Sequence, residues 1–178
     1  LVRKYKGLDL LLEAMAHPVI KELDLSLLVA GEFYDKKESY LEIVKKNKIE
    51  DKVTILDRFI PNQEVADYFN MCDLVVLPYK SATQSGVTQI AFHFERPMIV
   101  TNVGGLAEIV PDGIAGYVVK PEPEEIVHAI KDFYINNKQD TFRTGIKKLK
   151  KEYSWDRMVK TIIKLNKKTG EESNDNKK

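Results

Sequence analysis

Residues 97 to 120 read Pro97-Met98-Ile99-Val100-Thr101-Asn102-Val103-Gly104-Gly105-Leu106-Ala107-Glu108-Ile109-Val110-Pro111-Asp112-Gly113-Ile114-Ala115-Gly116-Tyr117-Val118-Val119-Lys120. The run from Met98 to Thr101 shows no alternation between apolar and polar positions, so it reads as a strand buried on both faces. The paired glycines Gly104-Gly105 let the backbone turn and let a helix or a ligand come close. They equally suit a plain turn. Asp112-Gly113 marks another turn, after which Gly116 to Val119 forms a second short strand. Successive strands buried on two faces belong to a parallel sheet covered by helices on both sides.

The same alternation extends toward the N-terminus. Leu8, Leu11, Leu12 and Met15 recur at three- and four-residue spacing and predict a helix over 8 to 16, ended near His17-Pro18. Residues 25 to 31 are an apolar run stopped by Gly31, and Tyr40, Leu41, Ile43 and Val44 carry a helical pattern. A strand at 53 to 56, a helix through Val65, Tyr68 and Phe69, a strand at 74 to 78 and a segment from Gln84 to Phe94 complete the series. This is a doubly wound α/β domain with five parallel strands near 25–31, 53–56, 74–78, 97–101 and 116–119. Helices through Ile126, Ile130 and Phe133 follow Pro121 and Pro123. Ser154 is placed to cap a final helix bearing Met158, Ile162, Ile163 and Leu165. One domain is expected over residues 1 to 168, with a disordered polar tail over 169 to 178. Such a domain ordinarily has a strand before its first helix, and none is present here. The expectation is an incomplete edge or an interior gap in the sheet, with the chain beginning partway through a longer protein.

Composition narrows the function. In 178 residues, 28 Lys and Arg face 27 Asp and Glu, a formal charge of +1, which argues against a bulk nucleic-acid binder. The four lysines among residues 147 to 151 read as a solvated helix face. The single cysteine, Cys72, permits neither an internal disulfide nor a cysteine-rich zinc site, and points to a reducing cytoplasm. It suits a small core side chain. His17, His93 and His128 lack the spacing of a metal site. No apolar run approaches the roughly 18 residues that span a bilayer.

The strand ending in Thr101, the Gly104-Gly105 turn, Glu108, Asp112-Gly113 and Gly116 resemble the donor-binding domain of the family-4 (group 1) retaining glycosyltransferases. Tyr5-Lys6-Gly7-Leu8, Leu28-Val29-Ala30-Gly31 and Cys72-Asp73-Leu74-Val75-Val76-Leu77-Pro78 carry the likeness through residues 1 to 165. The resemblance implies the C-terminal, Rossmann-like half of a GT-B fold. It further implies a cytoplasmic enzyme of glycan biosynthesis, membrane-peripheral in its full-length form. Its substrate is a nucleoside-diphosphate sugar, and it needs neither a cofactor nor a metal. A glycan, lipid or other acceptor is then held by an N-terminal domain, and this fragment is inactive alone.

Candidate residues follow. Arg3 and Lys6 flank the first helix, where cations and free amides can stabilise a leaving diphosphate. Lys6 directly before Gly7 matches the family pattern. Arg3 stands two residues after the family's arginine position, which is Leu1 here. Both also suit a solvated surface. Ser85, Gly86 and Val87 open a helix after a strand, a place for phosphate oxygens, although Ser85 also serves as a plain cap. In the resemblance, Gly104 and Gly105 lie beside the donor sugar, and two glutamates eight residues apart bind sugar and ribose. Those two positions fall on Ala82 and Ile90, leaving Gln84 or Gln89 to supply a hydrogen bond. Arg58, Phe59 and Ile60, after the strand at 53 to 56, take the family's base-reading position, while Phe59 equally suits the core. No catalytic group is assigned. Two other readings stand beside the enzyme half. One is a non-catalytic nucleotide or sugar-nucleotide binding module. The other is a nucleotide-dependent epimerase, whose Gly-x-Gly-x-x-Gly loop is absent.

Overall fold

The computed structural model describes residues 1 to 152. The expected helix capped by Ser154 and the tail from 169 to 178 lie outside the described residues. Among the described residues, β1 (Leu27–Ala30), β2 (Val53–Leu56), β3 (Val75–Leu77), β4 (Met98–Thr101) and β5 (Gly116–Val119) form the strands. The helices are α1 (Leu8–Met15), α2 (Pro18–Lys21), α3 (Lys37–Lys46), α4 (Asn62–Met71), α5 (Gly86–His93), α6 (Leu106–Ile109), α7 (Pro123–Ile135) and α8 (Gln139–Glu152).

β4 explains the two-layer architecture. Its four side chains are each no more than 1% exposed. Ile99 joins an apolar layer built with α1, α3 and α7, including Leu12, Met15, Val44, Ile126 and Ile130. Met98 and Val100 point the other way, into a layer with Ala91 of α5, Leu106 of α6 and Ile146 of α8. This is the period-two alternation of a strand covered on both faces. Leu27 and Val29 of β1, Val53 and Ile55 of β2, and Tyr117 and Val119 of β5 all belong to the first layer.

Every strand pair is parallel, as the sequence predicts. The strands form two ribbons, however. β1 pairs with β2, Leu27 opposite Val53, and β4 lies between β3 and β5, with Val75 opposite Met98 and Met98 opposite Gly116. The sheet is therefore interrupted between β1 and β3, which settles the expected irregularity as an interior gap rather than a ragged edge.

Local differences have local causes. Past His17-Pro18 the chain starts a second short helix, α2, because Pro18 stands at its first position and His17 Nδ1 accepts the Val19 amide at 3.3 Å. The four lysines of residues 147 to 151 are all exposed, the solvated helix face expected from the sequence. Phe142 and Ile146 of α8 are buried, and Lys147 and Lys150 reach Glu95 at 3.6 and 3.3 Å.

Gly116 is fixed by its surroundings. It has φ of +150°, and a Cβ there would lie 1.7 Å from the Met98 carbonyl oxygen. Gly113, at φ +71°, faces open space. Gly116→Ala should therefore lose at least about 2 kcal/mol of stability, and Gly113→Ala only about 1 kcal/mol. Urea unfolding of both variants measures the difference.

Candidate functional site

Three loops meet at the C-terminal end of the sheet, the edge where open α/β folds gather ligands. The first holds Arg3 and Lys6. Residues Lys4–Lys6 make one 3-10 turn, stopped by Gly7 in the left-handed region. A Cβ on Gly7 would stand 1.9 Å from the Pro78 carbonyl oxygen, so this loop lies directly on the loop after β3. The Tyr5 carbonyl accepts the Lys80 amide at 2.7 Å, and the Lys80 ammonium pairs with Asp9. The loop after β3 meets the glycine pair in the same manner. Gly105 donates its amide to the Thr83 carbonyl at 3.0 Å, and a Cβ on Gly104 would lie 1.5 Å from the Ala82 carbonyl oxygen. Backbone against backbone, the segments bearing Lys6, Ser85 and Gly104 form one platform.

Tyr79 ties the platform together. Its ring is 5% exposed and lies edge-on to Tyr5. The Lys6 ammonium stands 5.7 Å from the ring centroid, and the Tyr79 hydroxyl shares a hydrogen bond with Ser85 Oγ at 3.2 Å. Ser85 caps α5 by accepting the Val87 amide at 3.3 Å. The Val87 amide is therefore engaged within the helix start. Gly86 is exposed, with no atom within 4 Å of where a Cβ would stand, so space is open before the helix.

Lys37 pairs with Asp57, Arg58 with Glu64 and Lys80 with Asp9. Arg3 and Lys6 form no ion pair among the described residues. Arg3 is exposed and lies 4.8 Å over the Tyr34 ring. Lys6 is half-buried. Burial pushes its ammonium pKa below the usual lysine value, and the Arg3 charge pushes it the same way.

Arg58, Phe59 and Ile60 reach the same edge from β2. Arg58 is held by both carboxylate oxygens of Glu64 and by the Tyr68 hydroxyl at 3.0 Å. Phe59 is 67% exposed, which excludes the core alternative, and Ile60 is half-buried. Phe59, Ile60, Lys6, Tyr79 and Val87 all border one cavity of about 940 Å³. Gln84, Gln89 and Gly104 are exposed, and Gly105, Ala82 and Ile90 are half-buried. Tyr79 is the residue sequence reasoning missed. The signal was present in Pro78-Tyr79, an aromatic immediately after an apolar strand, at the edge where ligands collect.

Residues 1 to 136 match the family model described as "Glycosyl transferases group 1", a span that includes every candidate residue from Arg3 to Gly105. An uncharacterized glycosyltransferase of Methanocaldococcus jannaschii is 31% identical over 165 residues, covering 90% of this chain and 44% of the relative. The C-terminal domain of a glycosyl transferase group 1 family protein of Francisella tularensis superposes with a TM-score of 0.75 at 20% identity, covering 85% of this chain and 81% of that one. Anabaena HepE, solved in complex with UDP-glucose, gives a TM-score of 0.73 at 18% identity, covering 94% of this chain and 46% of that one. The chain spans less than half the length of curated relatives such as the uncharacterized glycosyltransferases of Methanocaldococcus jannaschii. By sequence the chain belongs to the group 1 glycosyltransferases, and by fold it corresponds to the C-terminal domain of such a protein.

Proposed function

We propose that this chain is the donor-binding half of a glycosyltransferase that moves a sugar from a nucleoside-diphosphate sugar to an acceptor with retention. The carrying observation is Lys6, a half-buried ammonium with no acidic partner among the described residues, set over the Tyr79 ring whose hydroxyl bonds the Ser85 cap of α5. A desolvated cation without a counter-ion is costly to the fold. A diphosphate would supply that counter-ion, and its negative charge is met by Lys6, Arg3 and the Gly86 amide, with no metal required. The base then lies against exposed Phe59, and the donor sugar near Gly104 and Gly105. HepE, of the same fold, has been solved with UDP and with UDP-glucose, which makes UDP the probe of choice. The acceptor and any group completing the reaction come from another domain of a longer, cytoplasmic protein that is peripheral to the membrane. Among the described residues no helix is long and apolar enough to cross a membrane.

A second reading rests on Ala82 and Ile90. Without carboxylates there, and with Gln84 and Gln89 exposed at the surface, the site holds a sugar nucleotide less firmly, which suits a binding module without turnover.

Lys6→Ala should weaken UDP binding by roughly ten- to a hundredfold, the loss of a charge-assisted contact of about 1.5 to 3 kcal/mol. Uridine binding should not change, because uridine carries no diphosphate. Stability should not fall. A lysine whose pKa is depressed by folding binds its proton more tightly in the unfolded chain, so its charge opposes folding at neutral pH. Calorimetry with both ligands and a urea titration measure all three. UDP affinity of the native chain should decline as pH rises through the lowered lysine pKa, and Lys6→Arg, which stays protonated, should abolish that decline. With UDP-glucose and simple sugar acceptors, this chain alone should bind donor and show no transfer, read as UDP release in a coupled assay. Transfer by the isolated chain would refute the two-domain reading.

A further inference from the structure

Among the described residues, the buried side chains that are neither apolar nor aromatic are Ser85, Thr88 and Thr101. They converge on one place. The Thr101 hydroxyl of β4 donates to the Tyr79 carbonyl at 2.5 Å, and the Thr88 hydroxyl of α5 donates to the Ser85 carbonyl at 2.6 Å. Both threonines are wholly buried. Packing alone is served better by an apolar side chain, since a hydroxyl must be bonded to be buried without loss. These two threonines fix the backbones of the residues whose own hydroxyls meet at 3.2 Å, Tyr79 and Ser85.

That pair holds a surplus proton. Two O-H groups share one hydrogen bond, which leaves one proton with no acceptor among the described residues. Burial raises the Tyr79 pKa, so the phenol keeps its proton at neutral pH. A phenol is the stronger donor and an alkyl hydroxyl the stronger acceptor, so Tyr79 donates to Ser85. The reverse arrangement would leave the Tyr79 proton buried without an acceptor among the described residues. Ser85 Oγ also accepts the Val87 amide at 3.3 Å. Both of its lone pairs are then taken, and the surplus proton is its own. The space for a ligand lies next to it, since Gly86 is exposed with no atom within 4 Å of where a Cβ would stand. A hydroxyl that already accepts two bonds is polarised and can only donate. It suits a group rich in acceptors, such as an ionised phosphate.

We propose that Tyr79 is a positioning residue for the donor diphosphate: its hydroxyl bonds Ser85 Oγ and so turns the Ser85 proton outward to a phosphate oxygen, while its ring carries the Lys6 ammonium. One rigid side chain, tied through its backbone to β4, thereby sets two donors of different kinds. Tyr79 acts through Ser85 and Lys6 and does not itself contact the phosphates. The inference rests on the donor reading of this site.

The test titrates the 178-residue protein with UDP and with uridine by calorimetry, beside its Tyr79→Phe, Ser85→Ala and Ser85→Thr variants and the double variants that join Tyr79→Phe to each serine change. Tyr79→Phe keeps the ring, and with it the Lys6 contact. It should weaken UDP binding by about three- to tenfold, and Ser85→Ala by about tenfold or more. Tyr79→Phe with Ser85→Ala should lose no more than Ser85→Ala alone, because the Tyr79 hydroxyl acts only through Ser85. Ser85→Thr keeps a hydroxyl and should stay within about threefold of the native chain, and adding Tyr79→Phe to it should restore the full Tyr79→Phe loss. Uridine affinity should be the same throughout. Ser85→Ala also removes the α5 cap; should that variant not fold, the threonine background carries the comparison. Equal UDP affinity for Tyr79→Phe and the native chain overturns this inference alone. So does a loss shared equally by uridine, or a pair of losses that add. Failure of the native chain to bind UDP overturns the donor reading and this inference with it.

Discussion

The two ribbons share no backbone hydrogen bond between β1 and β3, so what holds them in one molecule is the apolar layer of α1 and α7. Leu12, Met15, Ile126 and Ile130 lie in it at 3% exposure or less, and it reaches Val29 of one ribbon and Ile99 of the other. Each fully buried side chain of this kind contributes about 1.5 to 3 kcal/mol, so a handful of them outweighs the missing ladder. The candidate site inherits its geometry from the same layer. α1 begins one residue after Gly7, and Gly7 rests on Pro78. Seating α1 in the core therefore sets Lys6 beside Tyr79.

The architecture was legible because a strand buried on both faces leaves a plain mark. Met98 to Thr101 and Leu74 to Pro78 carry no polar alternation, and a chain of such runs separated by helical patterns allows few folds. An irregularity in the sheet was legible for the same reason, as a break in an otherwise regular series of strands and helices. Which side of the sheet it interrupted was not, since strand order depends on contacts between segments far apart in sequence. The pairing of Glu95 with Lys147 and Lys150 was hidden likewise, and the lysines read as a solvated face. Phe59 shows a different limit. An aromatic at the end of a strand fits a core and a ligand surface equally well, and only its 67% exposure decides between them. For Arg58, the composition gave the charge while the structure gave its partners, Glu64 and Tyr68.

The electrostatics separate structural charges from available ones. Asp57 and Glu64 have carboxyl groups held below their ordinary range, chiefly by hydrogen bonds from Lys37 and Arg58. These are surface pairs in contact with water, and such pairs contribute little to stability. Lys6 has the opposite situation, partly dry and without an ion-pair partner among the described residues, its pKa lowered by burial and then by the Arg3 charge. Local environment, not the count of 28 cations against 27 anions, distinguishes it from the other lysines.

The far end of α5 is fastened to its neighbours. After His93 the chain enters a left-handed residue, Glu95 at φ +56°, whose carboxylate meets two lysines of α8, while Lys150 also donates to the His93 carbonyl at 2.9 Å. Arg96 donates to the Asn70 carbonyl of α4 at 3.2 Å. At its other end the helix is joined to the platform through side chains, by the Ser85 hydroxyl's bond to Tyr79. The two ends of α5 thus differ in kind, one held by charged side chains and the other by a buried hydroxyl pair. Whatever occupies the space before Ser85 and Gly86 therefore sits one side chain, Tyr79, away from the loop that carries Lys6.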